Sequence, residues 1–216
     1  MTKVLIISDT HSNFSLMREI VDKYKKKGYI VVHAGDYDNM NLKPLDEGQN
    51  PISSRFDREW IKNNIDHWVK GNHDFMVKRG IYQKEEDFEE FIFNSYKVFK
   101  IEKTKILLSH FLDDSRNDIY YGTKKETDIK GKDSALYYEK KEKFDEWLNG
   151  LIKKNKPNLI ITGHTHIGRF WNMKGIDALN PGSLIYAKSP QPRGSYMVAC
   201  IDKNKLIKVK MVYLDN

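Results

Sequence analysis

The chain has 216 residues, an apolar fraction of 39% with 12% aromatics, and a formal net charge of +7. That length suits one well-buried core and is short for two, and the composition excludes a disordered chain. A single cysteine, Cys200, excludes an internal disulfide and points to a cytosolic-type redox setting.

Lys3 to Ser8 reads as a buried strand. The N-terminal run Val4-Leu5-Ile6-Ile7 is too short for a signal h-region or a membrane span, and no later segment approaches the roughly 20 apolar residues a span needs. The expectation is a soluble, cytoplasmic protein without membrane contact. Phe14, Met17, Ile20, Val21 and Tyr24 follow at helical spacing, with Ser12 or Asn13 as N-cap and Gly28 as stop. Tyr29 to His33 is a second strand ending at Ala34-Gly35-Asp36, and 37–56 reads as a loop. A short helix near Asp57 to Asn64 precedes a third strand, Asp66 to Lys70, which runs into Gly71-Asn72-His73-Asp74. This alternation predicts an α/β domain whose first sheet is largely parallel.

The second half differs. A helix around Lys84 to Asn94 leads to two strands, Lys97 to Ile101 and Lys105 to Ser109, joined by a tight turn. Residues 111–133 are polar and read as a long loop, and loops of that length inside a domain are usually functional or mobile. Ser134 to Asn155 is a charged helix whose apolar stripe is Leu136, Phe144, Trp147, Leu148, Leu151 and Ile152. A strand at Asn158 to Thr162 follows, then short strands including Ser195 to Asp202 and Leu206 to Leu214, which look like an antiparallel meander. There is no internal repeat or linker, so residues 1–216 are expected to form a single domain.

Polar residues collect at the C-terminal ends of these strands: Asp9 and His11, Asp36, Asn72 to Asp74, His110, and His164 with His166. In open α/β sheets ligands bind outside the carboxyl ends of the strands. Gly35-Asp36 alone is a common turn, and His110 alone is more often a satisfied semi-buried histidine. Five strand ends carrying Asp, His or Asn together make a convergent site. Its donors include no thiolate, so they favour Mn, Fe, Zn, Ni or Mg. Four imidazoles, two carboxylates and an amide exceed the needs of one ion and suit two ions about 3.5–4 Å apart. His33 and His67 lie outside these motifs and are expected to be structural.

In order, Asp9-Thr10-His11, Gly35-Asp36, Gly71-Asn72-His73-Asp74, His110 and Gly163-His164-Thr165-His166 resemble the signature of the metallophosphoesterase (calcineurin-like phosphoesterase) superfamily, over nearly the whole chain. Asn180-Pro181-Gly182-Ser183 resembles the turn that follows the last metal motif in its small members. The resemblance implies a four-layer α-β-β-α sandwich of two mixed sheets flanked by helices. It implies that Asp9, His11 and His166 hold one metal, that Asn72, His110 and His164 hold a second, and that Asp36 bridges them. Manganese is the first expectation for both ions. It further implies in-line attack on phosphorus by a metal-bridging hydroxide, with His73 as the acid or transition-state histidine, oriented by Asp74.

Two departures bear on the branch. Gly35-Asp36 continues as Tyr37-Asp38-Asn39, without the Asp-Arg-Gly of the protein phosphatases, which points to the small phosphodiesterase-like members. The 54 positions from His110 to His164 exceed what the smallest members need, and the excess holds Arg116, Tyr120 and Tyr121, expected to bind substrate. The expected function is therefore hydrolysis of a small or nucleotide-like phosphoester. The alternatives are a nuclease, a phosphomonoesterase or protein phosphatase, and a non-catalytic protein-binding scaffold like the retromer subunit that shares this fold. Only seven of the 37 basic residues are Arg, and Lys is scattered beside Glu and Asp, as in Lys140-Lys141-Glu142-Lys143, so the charge reads as a solvated surface that attracts anions rather than as a nucleic-acid groove.

Overall fold

A computed structural model describes residues 1–11, 13–37, 54–71, 74, 93–112, 132–185 and 193–214. Ten strands form two mixed five-stranded sheets. The first contains β1 (Thr2–Ile7), β2 (Ile30–His33), β3 (His67–Trp68), β9 (Ser195–Asp202) and β10 (Lys205–Tyr213), in the order β10-β9-β1-β2-β3. The second contains β4 (Tyr96–Ile101), β5 (Thr104–Ser109), β6 (Leu159–Ile161), β7 (Arg169–Met173) and β8 (Ile176–Asn180), in the order β4-β5-β6-β8-β7. Three parallel neighbours, β1-β2-β3 in one sheet and β5-β6-β8 in the other, are completed by antiparallel strands.

The two-residue period of a strand explains the layering. Val4 and Ile6 of β1 point into a core between the sheets, with Ile106, Leu108, Leu159, Ile161 and Met197. Leu5 and Ile7 point the other way, onto Met17, Ile20 and Val21 of α1 (Phe14–Lys25) and Ile61 of α2 (Ser54–Asn64). In the second sheet Leu107 and Ile160 face Phe144, Leu148 and Leu151 of α3 (Lys132–Asn155). Three apolar layers between four structural layers give the α-β-β-α sandwich, and they explain why β1 is apolar on both faces. Each fully buried Leu, Ile or Phe side chain contributes about 1.5–3 kcal/mol.

Several expectations shift. Asn13 occupies the N-cap of α1, but its side chain makes no capping bond; its backbone (φ −77°, ψ 57°) lacks the extended shape that folds a cap back onto the first turn. Ser12 lies outside the described residues. Gly28 does end the helix at φ +74°. The helix expected from Asp57 begins at Ser54. The third strand shrinks to His67–Trp68, and just before it the Asp66 carboxylate accepts the Val31 N–H at 2.7 Å. Lys132 and Asp133 are already helical, so α3 takes the last two residues of the expected loop. Most of the expected helix from Lys84 lies outside the described residues, apart from Phe93 and Asn94, which are helical. The last strands are not one meander. β7–β8 and β9–β10 are antiparallel hairpins in different sheets, β8 lying parallel to β6 and β9 antiparallel to β1. Alternation within a short strand sets its faces, not the sheet it joins. Among the described residues no helix is long and apolar enough to cross a membrane.

Candidate metal centre

The parallel strands β1, β2, β5 and β6 end at the same rim, and each delivers a candidate ligand there. Asp9 and His11 follow β1, Asp36 follows β2, His110 follows β5, and His164 and His166 follow β6. Five of these six (Asp9, His11, Asp36, His164 and His166) have positive φ, between 46° and 70°. Left-handed backbone at a non-glycine residue costs about 1–3 kcal/mol and persists where surrounding contacts impose it. Here they do. The β1–β2 ladder continues through both turns, as Asp9 N–H donates to Gly35 O at 2.9 Å and His11 N–H to Asp36 O at 3.1 Å.

Small residues let the turns close up. A Cβ on Gly71 would land on the Asp36 carboxylate, and one on Gly163 would strike Ser8 Oγ and come within 2.9 Å of both Asp9 Oδ2 and His110 Nδ1. Only glycine allows either approach.

The donor atoms converge. His11 Nε2 and His166 Nε2 are 3.0 Å apart. Asp9 Oδ1 is 3.1 Å from His166 Nε2, 3.7 Å from His11 Nε2 and 3.9 Å from His110 Nε2. Asp36 Oδ2 is 3.2 Å from His110 Nε2 and 4.0 Å from His11 Nε2. Two ligand-like triads result, Asp9–His11–His166 and Asp9–Asp36–His110, the ligand atoms of each lying within 4.8 Å of one another. Asp9 belongs to both, and Asp36 Oδ2 reaches toward both. His164 stands beside them, its ring 5.1 Å from that of His110, and its backbone N–H donates to Asp9 Oδ2 at 3.1 Å. Asn72, His73, Arg116, Tyr120 and Tyr121 lie outside the described residues.

Protonation follows from this crowding. Burial would lower His110, yet the Asp36 and Asp9 carboxylates carry it up to about 9. Burial, reinforced by the charge on His110, pushes His164 down to about 4. Burial would raise Asp9, but His166 and His110 hold it well below the ordinary carboxylate range. His110 Nδ1–H donates to the Ala34 carbonyl at 2.7 Å, which aims Nε2 at the carboxylates. The carboxylates that favour this proton would also favour a metal cation, which must displace it from Nε2.

The donor set fits divalent metal. Asp9 Oδ1 and His110 Nε2 are buried without a well-aligned hydrogen bond among the described residues. The Nε2 atoms of buried His11 and half-buried His166, 3.0 Å apart, need a proton or a cation between them. Nitrogen and carboxylate oxygen suit a borderline ion. Asp9, His11 and His166 would hold one ion, and Asp9, Asp36 and His110 another.

Residues with no ligand role in sequence hold the rim together. Both oxygens of Asp74 accept backbone N–H groups: Oδ2 from Asp36 (2.7 Å) and Gly71 (2.9 Å), Oδ1 from Tyr37 (3.0 Å). Asn180 donates to Gly163 O at 2.8 Å and Thr165 Oγ1 at 3.0 Å and accepts from Gly182 N–H, while Ser183 Oγ–H donates to Asp9 O at 2.8 Å. The Asn-Pro-Gly-Ser run signalled this second group; the amides that donate to Asp74 had no sequence signal.

With the site in place, likeness to known proteins becomes informative. Residues 2–204 match the calcineurin-like phosphoesterase superfamily domain. The chain belongs to that superfamily. Its members typically bind divalent metals and hydrolyse phosphoesters. A probable metallophosphoesterase of Mycoplasma pneumoniae is 23% identical over 199 residues, 91% of this chain and 87% of that protein. Among solved structures, a conserved uncharacterised protein of Streptococcus pneumoniae, described as a predicted phosphoesterase, superposes with TM-score 0.58 at 20% identity, covering 98% of this calcineurin-like chain and 89% of its own. A novel archaeal phosphodiesterase gives TM-score 0.56 at 17% identity, covering 99% and 100%. Vps29 of Entamoeba histolytica, in a single-mutant form, gives 0.53 at 20%, covering 99% and 100%. At these identities the superpositions establish the shared fold.

Proposed function

We propose that the protein is a metal-dependent phosphodiesterase acting on a small or nucleotide-like phosphoester. The observation that carries this reading is the convergence of His11 Nε2 and His166 Nε2, 3.0 Å apart, beside the shared carboxylate of Asp9. Two divalent ions bound there, manganese first among the candidates, would supply Lewis acidity toward water and the phosphoryl oxygens. Asp9 and Asp36 hold the negative charge that retains the ions. His110 keeps its proton on Nδ1 toward Ala34 and presents Nε2 to the site. In this proposal His73 donates a proton to the leaving oxygen, and Asp74 supports the rim by pinning the Gly71 and Asp36 turns. Arg116, Tyr120 and Tyr121 contact the substrate, and the net charge of +7 draws an anion toward the rim. The cytoplasm is the proposed compartment.

The test pairs metal analysis with kinetics. Purified protein should carry about two divalent ions per chain. With Mn²⁺ it should hydrolyse bis(p-nitrophenyl) phosphate faster than p-nitrophenyl phosphate. Asp36→Asn should lower kcat/KM about 100-fold or more, as loss of metal-borne charge stabilisation implies. Wild-type activity that survives both chelation and this substitution would overturn the reading. A folded, metal-free, inactive protein would instead support the scaffold function. Preference for the monoester, or cleavage of single-stranded DNA with a steep salt dependence, would replace the diester with the phosphatase or nuclease alternative.

A further inference from the structure

His33 is fully buried behind the centre and contacts none of the candidate ligands by hydrogen bond among the described residues. Its Nδ1 lies 3.1 Å from Gly35 N–H and must accept that proton. An imidazole that accepts at Nδ1 and is neutral carries its hydrogen on Nε2, so Nε2–H donates to Thr10 Oγ1 at 2.9 Å. The Thr10 hydroxyl passes its own hydrogen to Met17 Sδ, 3.6 Å away. The chain of bonds therefore runs in one direction, from Gly35 through His33 and Thr10 to α1.

The two ends of that chain matter. Gly35 sits at φ +102°; its carbonyl accepts from Asp9 N–H, and its own N–H, which points away from β1, takes the His33 ring as its acceptor. Thr10 lies between Asp9 and His11, both at positive φ (50° and 46°). Whatever fixes Thr10 fixes the direction in which its two neighbours point. His33 thus grips the apex of one ligand turn and the base of the other.

We propose that His33 is a positioning residue that, through Thr10, sets the spacing of Asp9 and His11 from Asp36 and so sets the affinity of the centre for divalent metal. The inference rests on the metal-binding reading above. Partners that orient ligands in this way typically contribute about 10- to 100-fold in metal affinity.

Thr10→Val removes the hydroxyl while keeping the shape, Thr10→Ser keeps the hydroxyl, and His33→Asn keeps an acceptor for Gly35 but cannot reach Thr10. Mn²⁺ affinity is measured on the full chain by competition with a chromogenic chelator, and the Co²⁺ absorption spectrum reports ligand geometry. Circular dichroism confirms that each variant is folded. Thr10→Val and His33→Asn should each weaken Mn²⁺ binding about tenfold or more and shift the Co²⁺ bands, the double variant should be no worse than the poorer single one, and Thr10→Ser should restore near-wild-type affinity. Folded Thr10→Val and His33→Asn variants with Kd within about twofold of wild type would overturn the positioning role while leaving the phosphoesterase reading intact. Additive losses, or no rescue by Thr10→Ser, would also overturn it. A wild type that binds neither ion would overturn both.

Discussion

The Nε2 atoms of His11 and His166, 155 residues apart in the chain, lie 3.0 Å from each other at the rim of the two sheets. Without metal a proton must lie between them, with Asp9 Oδ1 3.1 Å from His166; a cation bound there would draw all three ligands together. Metal should therefore stabilise the fold. At a free ion concentration about 100 times Kd the gain is about 2.7 kcal/mol, or roughly 6–10 °C in Tm for a chain of this size. His166→Ala should abolish most of that shift. Thermal unfolding in excess chelator and in Mn²⁺ checks this, and equal Tm values for the wild type would contradict it.

Gly163, just after β6, packs against the β1 turn. A methyl group there would collide with Ser8 Oγ and approach Asp9 Oδ2 and His110 Nδ1 at 2.9 Å. Ser8 can rotate, but Asp9 and His110 are buried and already fixed by other bonds. Gly163→Ala should thus destabilise the protein by about 1–3 kcal/mol, as overpacking does, and reduce Mn²⁺ affinity. Denaturant unfolding and metal titration read the two effects separately. Unchanged stability and affinity would mean that the rim yields more easily than its packing implies.

Asp74 makes a third test. Its carboxylate accepts from three backbone amides, those of Asp36, Gly71 and Tyr37. Asn at this position must turn an NH2 group toward at least one of those donors. Asp74→Asn should cost about 1–3 kcal/mol of stability, the range for leaving a buried donor unsatisfied. Because the same amides shape the Asp36 turn, metal affinity should fall as well. An Asp74→Asn protein as stable as wild type by urea denaturation would rule out the clamp.

How much of this was legible in sequence depends on range. The strand Lys3 to Ser8 and the helix stripe Phe14, Met17, Ile20 and Val21 follow from local periodicity, and the structure reproduces them within a residue or two. The placement of Asp9, Asp36, His110 and His164 at strand ends is equally local. The structure brings six of the seven proposed ligands to one rim. What periodicity could not show is register and tautomer. His33 meets Thr10 because β1 and β2 pair in parallel with Ile7 opposite His33, and that pairing is not written in either strand. Asp74 follows His73 directly in the chain, which suggests a partnership between side chains; the amides that its carboxylate accepts belong to turns folded over it. The parallel pairing of β8 with β6 is hidden for the same reason, since a five-residue strand carries no address.

His33 also gives a pH signature. Burial pushes it from the ordinary 6.5 down to about 4, with the Asp9 charge opposing and the His110 charge assisting. Above pH 6.5 both folded and unfolded chains hold it neutral, and it adds no pH dependence. Between 6.5 and 4 the unfolded chain takes up a proton that the folded chain refuses, so stability falls as pH falls through this window. Across the window the loss sums to about 3 kcal/mol, with a slope approaching about 1.4 kcal/mol per pH unit in its middle. His33→Asn removes the titrating group and should flatten the stability curve by that amount. Urea unfolding of both proteins at pH 7, 6 and 5, in excess chelator so that ion release does not contribute, compares the slopes. Wild type should lose more stability on acidification than the variant; parallel curves would show that His33 does not carry the acid sensitivity.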